Sequence, residues 1–174
     1  SPGAMSQGEY GARTGLKRVL DLLDEHRIPA SFFIPAVSIV INPEMVEMIK
    51  QSGRHEFAIH GWIHERNSTL NAKVERELVQ RAVDYFVDVI GERPIGYRAP
   101  SWDFSPNTLD IIKDLGFLYD SSLMADDRPY EINQNGNPTG IVELPVDWIL
   151  DDAPLVNPLG TRYSSPRDLL TVYK

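Results

Sequence analysis

His60 and His64 stand four residues apart in His60-Gly61-Trp62-Ile63-His64-Glu65, directly after the short apolar run Phe57-Ala58-Ile59. Neutral imidazole is a favoured ligand for zinc and its neighbours, and a catalytic zinc site uses three protein ligands and leaves one position for water. Four residues is about one helical turn, so a chain that leaves the strand helically would present both rings on one side. A glycine after the first histidine suits a sharp turn or a close backbone approach. An isolated pair of this spacing is more often found on a surface or behind a ligand. Its position at a strand end favours a site, because sheets flanked by helices gather ligands at the carboxyl ends of their strands.

Other marked positions also follow predicted strands. Arg98-Ala99-Pro100-Ser101-Trp102 comes after one, and Asp120-Ser121-Ser122 after the next. An arginine there can orient a carboxylate through a bidentate pair, or form a structural salt bridge. Trp102 can wall a pocket or belong to the core. Asp120 can face the site or close a loop on its own backbone. Asp126-Asp127 and Asp151-Asp152 read as solvated turn residues, Glu65 as a hydrogen-bonding neighbour, and His26 and His55 as bystanders.

The elements that must position these groups alternate. Apolar spacing predicts a helix from Thr14 to Arg27 capped by Thr14, and a strand at Ala30–Pro35. Asn42-Pro43-Glu44 then opens a helix as cap and first helical proline. A strand at Glu56–Ile59 precedes the histidine turn, and Asn71–Ile90 is the longest helix, closed by Gly91. A strand at Ile95–Arg98, a helix opened by Ser105-Pro106-Asn107, and a strand at Phe117–Asp120 follow. Residues 125–140 read as a long functional loop, Ile141–Pro145 as a further strand, and Ser165-Pro166 as the start of a last helix. Such alternation argues for a parallel sheet or barrel wrapped by helices, preceded by a loop over residues 1–13.

Composition bounds the chemistry. The 174 residues suffice for one domain, the net charge is −8, and there is no cysteine. Disulfides and thiolate metal sites are therefore excluded, which fits the cytoplasm. The acidic balance argues against nucleic acid or an anionic membrane as partner. No run approaches the roughly 20 apolar residues of a membrane span.

Three strand-end motifs in this order, His60-Gly-Trp-Ile-His64, Arg98-Ala-Pro100 and Tyr119-Asp120-Ser-Ser122, resemble those of the polysaccharide deacetylase family, the NodB-homology domain. The stretch Asp120–Tyr130 and the opening Glu9–Gly15 are similar to its peptidoglycan-deacetylase and allantoinase-like branch. The resemblance implies an α/β fold, a distorted (β/α) barrel spanning residues 14–174, and a metal-dependent hydrolase that removes acetyl from N-acetylated sugars. On that resemblance His60 and His64 hold a divalent metal, expected to be zinc. Arg98 holds the catalytic base, and Trp102 lines the acetyl pocket. Asp120 joins Arg98 on the catalytic side, and Trp62, Pro100 and Ser101 join Trp102 on the substrate side.

The sequence departs from the family at both ends. The Asp-Asp motif that supplies the base and third metal ligand has no counterpart before Thr14, and no histidine follows His64 to serve as the terminal acid. The expectation is an incomplete or inactive barrel, a piece of a longer enzyme or one that assembles with a copy of itself. An allantoinase-like cyclic-amide hydrolase and a non-catalytic glycan-binding or assembly domain stand as rival readings.

Overall fold

The computed structural model describes residue 6 and residues 8–152 and 164–172. Helix α1 (Leu16–Glu25) leads to β1 (Ser31–Ile34), followed by α2 (Ala36–Ile41), α3 (Glu44–Lys50) and β2 (Glu56–Ile59). Helix α4 (Ala72–Ile90) precedes β3 (Gly96–Tyr97), and α5 (Thr108–Asp114) precedes β4 (Tyr119–Asp120). The hairpin β5 (Tyr130–Gln134) and β6 (Asn137–Glu143) comes next, and α6 (Pro166–Val172) last. The strands form one sheet in the order β1-β2-β3-β4-β6-β5. Neighbours from β1 to β4 are parallel, as are β4 and β6, while β5 runs antiparallel at the edge. From β1 to β4 the parallel strands lie one beside the next with helix in each crossover, which builds the arc of a (β/α) barrel, while β4 connects to β6 through β5.

Register decides which side chains share a face. Ile34, Ile59, Tyr97, Asp120 and Glu143 lie in one row across five strands. Successive side chains alternate, so Phe33, Ala58 and Tyr119 face the other way, and His60, Arg98 and Ser121 follow them at the strand ends. The row that includes Ile59 and Tyr97 belongs to the apolar core, with Val79, Val83 and Phe86 of α4 and Ile111 and Ile112 of α5. No helix among the described residues is long and apolar enough to cross a membrane.

Three local expectations are corrected, and one unassigned run, Ala36–Ile41, is helical. Residues 8–25 are already helical, with a π-turn at Gly11–Gly15, so the opening is not a loop to residue 13 and Thr14 caps nothing. Asn42 does not cap α3 with its side chain; its Nδ2 donates back to the Ser38 carbonyl at 3.2 Å. The β-branched run Ala36–Ile41 forms a helix, because its first two backbone N–H groups find the Gly61 and Trp62 carbonyls at 3.1 and 2.9 Å. Residues 130–143 form a hairpin rather than a loop. Its turn is Asn135-Gly136, both at positive φ (53° and 80°), which is the turn that matches strand twist. The long helix α4 is as expected, capped by Asn71 Oδ1 on the Val74 N–H at 3.0 Å and closed by Gly91 at φ 86°.

Candidate functional site

His60 is the first residue past β2, and its Nδ1 lies 2.8 Å from the Arg98 carbonyl oxygen past β3. A carbonyl only accepts, so Nδ1 carries the proton and Nε2 keeps its lone pair, which is the way a ligating imidazole is usually held. Burial drives the His60 pKa from its ordinary 6.5 down to about 4. The Arg98 carbonyl opposes that shift, and the neighbouring His64 and Arg98 add to it. The neutral ring is thus ready to bind a cation at neutral pH.

His64 reaches the same place, with ring centroids 5.0 Å apart and planes at 72°. The expected helical turn is not what brings it there. Gly61 and His64 both take positive φ, 74° and 64°. Between them the loop folds around the Glu65 carboxylate, which accepts from Trp62 N–H at 2.9 Å and Ile63 N–H at 2.7 Å. A Cβ on Gly61 would lie 2.8 Å from Pro100 Cγ and 3.0 Å from Glu65 Oε1, so only glycine fits this approach. Glu65 is therefore the hydrogen-bonding neighbour expected of it.

Arg98 is pinned from two sides. Its Nε donates to the Ser121 carbonyl at 2.8 Å and its Nη2 to Ser121 Oγ at 2.6 Å, while its guanidinium stacks over Phe33 at 4.2 Å. Burial lowers its pKa, and the charges of Asp120, Tyr119, Glu143 and Asp151 pull it back up. Arg98, Trp102, Asp147, Leu150 and Asp151 bound a cavity of about 280 Å³. Trp102 thus belongs to a pocket wall.

Three expected site residues are placed elsewhere. Asp120 shares the row of Tyr97, one residue out of phase with Arg98, and is fully buried. Its Oδ2 accepts from Ser122 N–H at 2.9 Å and its Oδ1 from Ser122 Oγ at 2.8 Å. Its pKa is pushed well above the carboxylate range by burial first and then by Glu143. The geometry makes it a loop-closing acid. Trp62 turns to α4, where Arg81 lies 4.0 Å over its ring and Tyr85 packs edge-on at 5.9 Å. Pro100 is buried against Gly61, while Ser101 is exposed beside Trp102 with φ 57°.

Sequence reasoning missed Glu143 and Trp148. Glu143 Oε1 accepts from the Ser122 and Leu123 N–H groups at 3.0 Å each, and its Oε2 is buried without a partner. Trp148 packs edge-on against Trp102 at 4.4 Å. Alternation in Ile141-Val142-Glu143-Leu144 was the signal for the first; nothing in the local pattern marked the second.

Two imidazoles offer two metal ligands, one short of a catalytic centre. Among the described residues no three His, Asp or Glu side chains form a group that could hold an ion. The donor set is incomplete, and no step of chemistry can be routed through a metal on these residues alone.

The model of the family described as polysaccharide deacetylase matches residues 8–119, which is more than half of the chain. The chain belongs to the polysaccharide deacetylase family. A peptidoglycan deacetylase of Helicobacter pylori is 32% identical over 196 aligned residues, covering 97% of this chain and 67% of that protein. A solved structure assigned as a polysaccharide deacetylase of Mycobacterium smegmatis superposes with a TM-score of 0.89 at 35% identity, covering 98% of this chain and 60% of the other. Puue allantoinase superposes at 0.87 and 26% identity, covering 99% and 56%. The chain thus spans between 56% and 67% of the length of these three proteins. These likenesses bear out the expected α/β fold of the barrel type. The family is metal-dependent in general.

Proposed function

We propose that this chain is the histidine-bearing part of a hydrolase that cleaves the amide carbon–nitrogen bond of an N-acetylated sugar, releasing acetate and the free amine. One observation carries the reading: the His60 ring is fixed by the Arg98 carbonyl so that Nε2 stays open beside His64, and the same Arg98 lines a cavity with Trp102. Kinship to a peptidoglycan deacetylase supports the sugar amide as substrate. Zinc is the metal assigned to the pair on imidazole donor chemistry, with a third ligand from outside the described residues. A bound zinc would supply Lewis acidity and a water of lowered pKa.

The chain's own residues do the rest. The Arg98 carbonyl holds the His60 proton at Nδ1. The Arg98 guanidinium, locked by Ser121 and Phe33, presents a cation at the cavity wall, where a carboxylate or the polar part of a substrate is oriented. Trp102 excludes water from that wall. Acetate released from N-acetylglucosamine oligomers, measured with and without zinc, tests the proposal.

The second reading, hydrolysis of a small cyclic amide, is favoured by the likeness to an allantoinase and by the incomplete ligand set. Ring opening of allantoin without acetate release from sugars would select it. Exposed apolar side chains at Leu118, Ile95 and Val142, together with the open sheet edge at β1, support assembly with a second copy. Sedimentation gives the stoichiometry.

A further inference from the structure

Two peptide units connect the candidate site to the turn that follows β4. The first is Arg98–Ala99: its carbonyl accepts from His60 Nδ1 at 2.8 Å, and its N–H donates to Ser122 Oγ at 2.9 Å. The bond is trans, so the two groups point opposite ways across one rigid plane. Tilting that plane takes the acceptor away from Nδ1, and with it the tautomer that leaves Nε2 open. The second unit is Ser121–Ser122. Its carbonyl accepts from Arg98 Nε at 2.8 Å, and Ser121 Oγ accepts from Arg98 Nη2 at 2.6 Å. Ring and guanidinium thus both hang on residues 121 and 122.

That turn is held from the sheet's other face. Glu143 is fully buried in the row of Tyr97 and Asp120. Its Oε1 accepts from the N–H groups of Ser122 and Leu123, at 3.0 Å each, which fixes the peptides on both sides of Ser122. Asp120 adds its own grip on the Ser122 N–H and hydroxyl, at 2.9 and 2.8 Å. The strand that carries Glu143 is itself stitched to the turn. Ser121 Oγ donates to the Leu144 carbonyl at 2.7 Å, and Leu144 N–H donates to the Asp120 carbonyl at 2.8 Å. Glu75, the other fully buried glutamate, uses both oxygens on hydroxyls of its own network. Glu143 has no partner for Oε2, so its hydrogen bonds go to this turn alone.

We propose that Glu143 is a positioning residue: through the peptides 121–122 and 98–99 it sets the aim of the Arg98 guanidinium and the tautomer of His60, from the opposite face of the sheet. The consequence for catalysis rests on the deacetylase reading above, in which Arg98 orients the substrate and His60 presents Nε2. A carboxylate is suited to the task because one charged oxygen holds two N–H groups more firmly than a neutral acceptor does.

The test is nitrogen-15 NMR of the metal-free full chain, reading the His60 ring nitrogens and the hydrogen exchange of Arg98 Nε–H, for wild type, Glu143→Gln, Glu143→Leu and Ser122→Ala. Wild type should show one His60 tautomer, protonated at Nδ1, and a protected Arg98 Nε–H. Glu143→Gln keeps an acceptor oxygen and should retain both signatures. Glu143→Leu should mix the tautomers and speed the Arg98 exchange about tenfold or more. Ser122→Ala cuts the link to Ala99 and should mix the tautomers as well, which decides the matter if Glu143→Leu does not fold. Mixed tautomers in wild type, signatures lost in Glu143→Gln, or signatures intact in folded Glu143→Leu or in Ser122→Ala would overturn the inference. Acetate release from N-acetylglucosamine oligomers separates it from the catalytic reading. The expected NMR pattern with no acetate formed by wild type keeps the positioning and removes the deacetylase. Acetate formed at one rate by wild type and Glu143→Leu keeps the deacetylase and removes Glu143 from it.

Discussion

Two polar clusters lie on opposite faces of one sheet, and they are built to opposite rules. On the helix side, Glu75 is 1% exposed and accepts from Ser105 Oγ at 2.6 Å and Thr108 Oγ1 at 2.5 Å. Asn67 Nδ2 donates to the Tyr97 hydroxyl at 2.8 Å, and Asp120 is closed by Ser122. On the other face, His60 has one nitrogen bonded and the other open, His64 is exposed, and Arg98 borders a cavity. Both clusters are rich in the residue types that catalyse. What separates a structural network from a candidate site is spare bonding capacity, and the first cluster has little, the exception on its row being the unpartnered Glu143 Oε2.

The largest effect expected from breaking this contrast is on the satisfied side. Glu75→Ala leaves two buried hydroxyls without their acceptor and should cost roughly 3 kcal/mol of stability in urea unfolding. Zinc binding per folded molecule should not change. A variant that keeps its stability would remove the distinction between the clusters.

Acid should act on the open side by a comparable amount. The folded His60 pKa of about 4 lies below the ordinary 6.5, so between those values the unfolded chain binds a proton that the native chain refuses. Stability of metal-free protein should therefore fall as pH drops from 6.5 toward 4, by roughly 3 kcal/mol. His60→Gln should flatten that window. Asp120 has the opposite sign: its raised pKa gives a contribution present in acid and lost as pH rises through its native value. Asp120→Asn should remove that acid-side contribution, read as a flatter pH dependence of urea unfolding.

Gly61→Ala strains a positive φ and drives a Cβ into Pro100 and Glu65. It should cost about 2 kcal/mol and weaken metal binding, because the loop that returns His64 to His60 cannot close. Thermal melts with and without zinc measure both.

Much of this was legible in the sequence where period and punctuation agree. Helix α4 shows its apolar spacing, its Asn71 cap and its Gly91 stop; the pairing of His60 with His64 was readable from spacing at a strand end. The route was not, because a loop wrapped on Glu65 does what a helical turn was expected to do. Asp120 was misplaced for a related reason. Whether a strand-end acid faces the site depends on sheet parity and register, and a two-residue strand such as β4 carries no alternation to read. Trp62 was taken by Arg81 and Tyr85, contacts that only the docking of α4 creates. Ala36–Ile41 shows tertiary hydrogen bonds overriding a β-branched pattern.

The central claim is that His60 and His64 form the open, metal-seeking end of the sheet. Metal analysis of the purified chain during a zinc titration, in parallel with His64→Ala and His60→Ala, tests it most directly. The account predicts zinc binding by the wild-type chain, weak as two imidazoles alone allow, and its loss in both variants while the fold is kept. No zinc bound even at millimolar concentration, or zinc retained after both substitutions, would contradict it.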